Sequence, residues 1–165
     1  MASVCGSSLS LMAAGFRPHA DDVVLIDSET LSPLTFPRAF HVDDRTRALV
    51  EPLSHDPDWE VPGLPRGYFL PTTWADAAAP VGAVVFPKAL HHPRPLMVQL
   101  PVAEGATTLL RLSGTLDATP ALALRTTSRM TAAAPCYALY TGDVAATAEL
   151  VATSVARLVL ARART

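Results

Sequence analysis

Asp21 and Asp22 stand side by side in the stretch "GFRPHADDVVLID", immediately before the apolar run Val23-Val24-Leu25-Ile26. Adjacent carboxylates at the mouth of a strand are suited to general acid–base work, and equally to a solvated turn that starts the strand. If the pair is catalytic, its other half belongs just upstream. His19 is close enough in sequence to modulate the ionisation of the pair, although a loop histidine is commonly just exposed. Asp43-Asp44 in "HVDDRTR" has the same composition but is flanked by His41, Arg45 and Arg47, so local ion pairing accounts for it. His91-His92 has no neighbouring Cys, Asp or Glu to complete a metal site, and adjacent histidines on an extended turn point apart. No metal ligands are assigned. Lys88 is the one lysine of the chain, and its proline-bounded turn reads as solvent-facing.

These residues need elements to hold them. The small, apolar residues 6–14 suit a short helix, with Gly15 as the glycine that lets the chain reverse after it. A strand is expected at 22–26, where Val23 to Ile26 form a continuous apolar run, the pattern of a strand covered on both faces and placed near the middle of a sheet. "LSPLTFP" predicts a shorter strand that its prolines confine to an edge or end at Pro37. From Asp43 to Pro80 the chain is rich in Pro, Asp, Gly and Trp, with a strand expected only at 67–70. Trp59, Tyr68, Phe69 and Trp74 give this excursion the apolar anchors of an ordered segment.

Further strands are expected at 82–87 and 96–100, joined by a turn, then helices at 102–112 and 117–130 and a late strand at 135–140. Asp143 is placed to cap a helix over 144–163, with Leu150, Val151, Val155, Leu158 and Val159 on one face. Arg157, Arg162 and Arg164 near its end complement the helix dipole. The alternation predicts a single α/β or α+β domain spanning 1–165.

Bulk composition narrows the function classes. With 165 residues and 50% hydrophobic content, the chain can build a core without disulfides or a metal. A net charge of -2 and a charged fraction of 17% leave no basic field for nucleic acid or an anionic membrane. Cys5 and Cys136 form no disulfide framework and read as free thiols in a reducing compartment. The first sixteen residues lack a cationic n-region and a long apolar core, and 144–160 is interrupted by polar residues. A cytoplasmic protein without a membrane span is expected.

Taken in order, "AAGFRPHADDVVLID", "LTFPRAF", "GAVVFP" and "PCYALYTGDVAATAELV" resemble the catalytic domain of the HPr serine kinase/phosphorylase family, in particular its HPr-kinase-related branch. The resemblance runs from about Gly6 to about Arg157. It implies an α/β nucleotide domain like that of phosphoenolpyruvate carboxykinase, a mixed sheet with flanking helices. It also implies phosphoryl transfer from ATP with Mg²⁺ to a serine hydroxyl on a partner protein, with Asp21 and Asp22 in the positions of the acid/base pair. A serine hydroxyl is a poor nucleophile, so a carboxylate must orient it and accept its proton while cations neutralise the phosphoryl charge.

The family's phosphate loop, G-x-x-x-x-G-K-[ST], is degenerate or absent. Gly6-Ser7-Ser8-Leu9 resembles its end with Ser7 at the lysine position, and the strand that enters the loop is missing. By resemblance Gly6, Ser7 and Ser8 are the remnant phosphate contacts. Arg38 in "FPRAF" is a further phosphate or substrate contact, or else packs its stem over Phe36 and Phe40. The expectation is a kinase-like domain, N-terminally incomplete, with weak or absent activity. Its alternatives are a non-catalytic protein-binding module derived from the kinase fold and a truncated gene product; a homo-oligomer is compatible with each.

Overall fold

The structure, a computed structural model, describes residues 4–42, 67–76, 79–88, 92 and 94–162. The excursion's first part, with Asp43-Asp44 and Trp59, lies outside the described residues, as does His91.

Helix α1 spans Val4–Ala13. It ends as its glycine requires: Gly15 has φ +93, its N–H donates to the Met12 carbonyl at 2.9 Å, and Phe16 N–H reaches back to the Leu11 carbonyl at 3.0 Å. This paired closure satisfies carbonyls that the last turn leaves open, and glycine adopts the left-handed backbone without a Cβ penalty. The chain then runs through His19, Asp21 and Asp22 into strand β1, Leu25–Ile26, which pairs antiparallel with β2, Pro33–Leu34.

Here the expectation for 22–26 fails. The run is no central strand, for β1 has only two residues, and Val23, Val24 and Leu25 are 47%, 51% and 45% exposed. The physical reason lies in its partner. On the Val24 side the chain after Leu34 bonds elsewhere, the Thr35 hydroxyl to the Ala75 carbonyl and the Phe36 N–H to the His19 carbonyl, so the ladder ends at Leu25 and Leu34. Among the described residues, β2 is the one strand beside β1.

Strands β3, Phe40–Val42, and β4, Gly67–Phe69, form a second antiparallel ribbon. Its inward residues Phe40, Val42 and Phe69 bury against Leu9 of α1, with Met12 and Trp74 completing the cluster. The rings of Phe40 and Trp74 stack at 6.2 Å. Thus the apolar anchors expected at Phe69 and Trp74 tie this part of the chain to α1.

The third sheet has the order β5, β7, β6, with β5 at Val84–Lys88, β6 at Leu96–Gln99 and β7 at Cys136–Tyr140. β7 runs parallel to β5 and antiparallel to β6, so the sheet is mixed. Its central position is legible in burial: Cys136, Ala138 and Leu139 are all buried. Helix α2, Val102–Arg111, packs on β7 and on α3, Pro120–Ala133. Helix α4, Val144–Arg162, packs on α1 and β6. Asp143 caps α4 as expected, its Oδ1 accepting the Ala146 N–H at 3.1 Å. α3 starts at Pro120 rather than 117, because proline suits the first helical turn and residues 113–119 form turns instead. The chain is therefore a mixed α/β fold of small sheets with flanking helices. Among the described residues no helix is long and apolar enough to cross a membrane.

Candidate functional site

Asp21 and Asp22 lie on a bend between α1 and β1, and the two carboxylates have different surroundings. Asp22 is exposed, and its Oδ1 accepts a hydrogen bond from Arg38 Nη1 at 3.0 Å. Asp21 is half-buried. Burial, and then the charge of Asp22, push its carboxyl above the ordinary carboxylate value, while the positive charges of His41 and Arg38 pull it back in part. One member of the pair is neutralised by a guanidinium and the other is biased toward holding a proton. A half-buried carboxyl biased in this way beside an ion-paired neighbour is of the kind that acid–base chemistry uses.

The segment that supplies Arg38 also supplies His41. In β3 the side chains alternate: Phe40 and Val42 turn into the core, and His41 takes the opposite, exposed face. Its ring meets Tyr68 of β4 edge-on, centroids 4.6 Å apart. His41 and Tyr68 thus join the site, which sequence reasoning missed. The strand alternation around His41 was the available signal, obscured by grouping it with Asp43-Asp44.

Arg38 bridges to Asp22 and keeps a side chain 55% exposed. Lys88 is half-buried at the end of β5 rather than freely solvated. His92 is exposed, and its Nδ1 lies within hydrogen-bonding distance of the Arg94 backbone.

Gly6, Ser7 and Ser8 lie inside α1, whose neighbours are α4 and β3. In a regular helix the Ser8 N–H is turned toward the Val4 carbonyl, not outward to an anion. The segment opens a helix and is not a glycine-rich loop, so a phosphate there meets only the open N–H groups of the first turn, those of Gly6 and Ser7 among them. A magnesium ion is a milder demand, because one or two carboxylates with substrate oxygens can hold it, and Asp21 and Asp22 are of the right type.

Behind the pair, the β1–β2 connection is firmly built. Asp27 Oδ1 accepts the N–H groups of Thr30 and Glu29 at 2.7 Å and 2.9 Å. Arg129 of α3 donates to the carbonyls of Ser28 and Glu29 at 2.6 Å and 2.8 Å. The ribbon is tied at its far end, whereas Val23, Val24, Leu25, Leu34 and Phe36 expose apolar surface beside the carboxylates.

Comparison of the chain with family models, with curated proteins and with solved structures finds no match.

Proposed function

We propose that this chain is a phosphotransferase-derived domain of the HPr serine kinase kind, with a phosphoenolpyruvate-carboxykinase-like ancestry for its fold. In this reading it retains a hydroxyl-directed acid–base pair beside a degenerate phosphate-binding segment, Gly6-Ser7-Ser8, with Ser7 at the lysine position. The observation that carries the reading is the division of labour between the neighbours: Asp22 is held by Arg38, and Asp21 is half-buried with its carboxyl raised by burial and by Asp22. Asp21 accepts the proton of a serine hydroxyl on a protein substrate, and Asp22 with Arg38 keeps the local charge and geometry fixed. ATP and Mg²⁺ supply the phosphoryl group and its charge neutralisation when bound. Their grip is weak in this reading, because Gly6-Ser7-Ser8 opens a helix and Ser7 stands at the lysine position. Loss of one well-aimed electrostatic group lowers turnover by about a hundredfold or more, so transfer is expected to be slow.

The test is transfer of the labelled terminal phosphate of Mg·ATP to a serine-containing protein. Asp21→Asn should abolish the residual transfer, and transfer unaffected by that change removes the assignment.

A second reading, a non-catalytic protein-binding module, is favoured by one separate observation. Apolar side chains on and around the β1–β2 ribbon are exposed together, as at protein contact surfaces. Partner capture independent of Mg·ATP supports that reading, and strict nucleotide dependence opposes it.

A further inference from the structure

His19 precedes Asp21 by two residues, and its neighbours determine which of its nitrogens carries the proton. The Thr35 hydroxyl lies 2.5 Å from the Ala75 carbonyl and 3.1 Å from His19 Nδ1. A carbonyl oxygen can only accept, so the single hydroxyl proton of Thr35 is spent on Ala75. What remains toward His19 is an oxygen lone pair, and Nδ1 must donate to it. The neutral ring is thereby held with its proton on Nδ1 and a lone pair on Nε2.

The backbone keeps this relay in register. Phe36 N–H donates to the His19 carbonyl at 2.8 Å, and Ala75 N–H donates to the Pro18 carbonyl at 2.9 Å. Three separate segments, at 18–19, 35–36 and 75, are thus joined through their backbones, and Thr35 reaches the His19 ring from the second of them. An imidazole whose tautomer is set by a partner on its other nitrogen is the usual arrangement of a histidine base.

We propose that His19 is a second proton acceptor of the Asp21–Asp22 site, with Nε2 as its working atom and Thr35 as the positioning residue that fixes its tautomer. Its use on a substrate hydroxyl rests on the phosphotransfer reading above; the tautomer does not.

Two measurements separate these parts. Long-range ¹⁵N–¹H correlation spectra of the whole chain, at a pH where the ring is neutral, should place the His19 proton on Nδ1. Thr35→Ser should keep it there, and Thr35→Val should move it to Nε2. A proton on Nε2 in the unmodified chain, or no response to Thr35→Val, overturns the relay.

In the labelled-phosphate assay, His19→Gln should lower transfer by roughly a hundredfold. Thr35→Val should lower it as well, with Thr35→Ser restoring it. If Asp21→Asn abolishes transfer and His19→Gln leaves it unchanged, the acceptor role is wrong and the kinase reading survives. If the unmodified chain transfers nothing, the acceptor role falls together with that reading, and the spectra still decide the tautomer.

Discussion

Asp22 and Arg38, sixteen residues apart, are joined by a 3.0 Å contact between Oδ1 and Nη1, and both side chains remain more than half exposed. An ion pair so open to water stabilises the fold by about 0–1 kcal/mol at most. Its effect is better sought in Asp21. Asp22→Asn removes a negative neighbour and should lower the Asp21 carboxyl value, whereas Arg38→Met removes a positive one and should raise it. Carboxyl-carbon NMR titration of the two variants should show shifts of opposite sign. Shifts of the same sign would disconnect the three residues.

The dependence of stability on pH should carry the signature of Asp21. A carboxyl whose folded value is raised above its unfolded value stabilises the fold while protonated, below about pH 4, and this contribution is lost as pH rises through the folded value. Asp21→Asn removes that loss. Urea denaturation should therefore find the variant gaining stability relative to the parent chain between about pH 4 and about pH 7.

Asp27 should behave in the reverse sense. The N–H groups of Thr30 and Glu29 hold its carboxyl below the ordinary value, so its contribution is present above about pH 4 and is lost as pH falls through the folded value. Asp27→Ala should be destabilising at neutral pH, and the difference from the parent should shrink in acid.

Arg129 ties α3 to a turn one hundred residues earlier. Arg129→Met should speed amide exchange at Glu29, Thr30 and Leu31, whose N–H groups lie in that turn, while leaving the amides of β7 protected. Uniform loss of protection across both regions would show that the contact supports the whole fold and not the turn alone.

Gly105 of α2 is packed against Cys136. A Cβ at this position would lie 2.7 Å from both Cβ and Sγ of that buried cysteine, closer than such atoms can approach. Gly105→Ala gains about 1 kcal/mol of helix propensity but overpacks the α2–β7 contact, which costs about 1–3 kcal/mol. Thermal unfolding should show a net loss of stability.

The elements of the last third were legible because each carries its own local signal. Asp143 marks a helix start, and "PCYALY" is an uninterrupted apolar strand that is central here, although Pro120 and not residue 117 opens α3. The "DDVVLI" stretch has equally strong local chemistry, yet its neighbour decides its fate: beyond Leu34 the partner chain bonds to Ala75 and His19 instead, and the valines stay exposed. The same limit applies to the site. Adjacent carboxylates can be read directly, but the contact of Arg38 with Asp22, the charge of His41 and the Thr35 relay depend on segments brought together only by folding.

The central claim is that the acid–base pair persists without a competent phosphate cradle, and calorimetric titration of the purified chain with Mg·ATP tests it most directly. The account predicts no saturable binding in the micromolar range, for the parent chain and for the Asp21→Asn, Asp22→Asn double variant alike. Micromolar binding by the parent chain would contradict it, because the helical Gly6-Ser7-Ser8 segment, or another part of the chain, would then be holding the nucleotide.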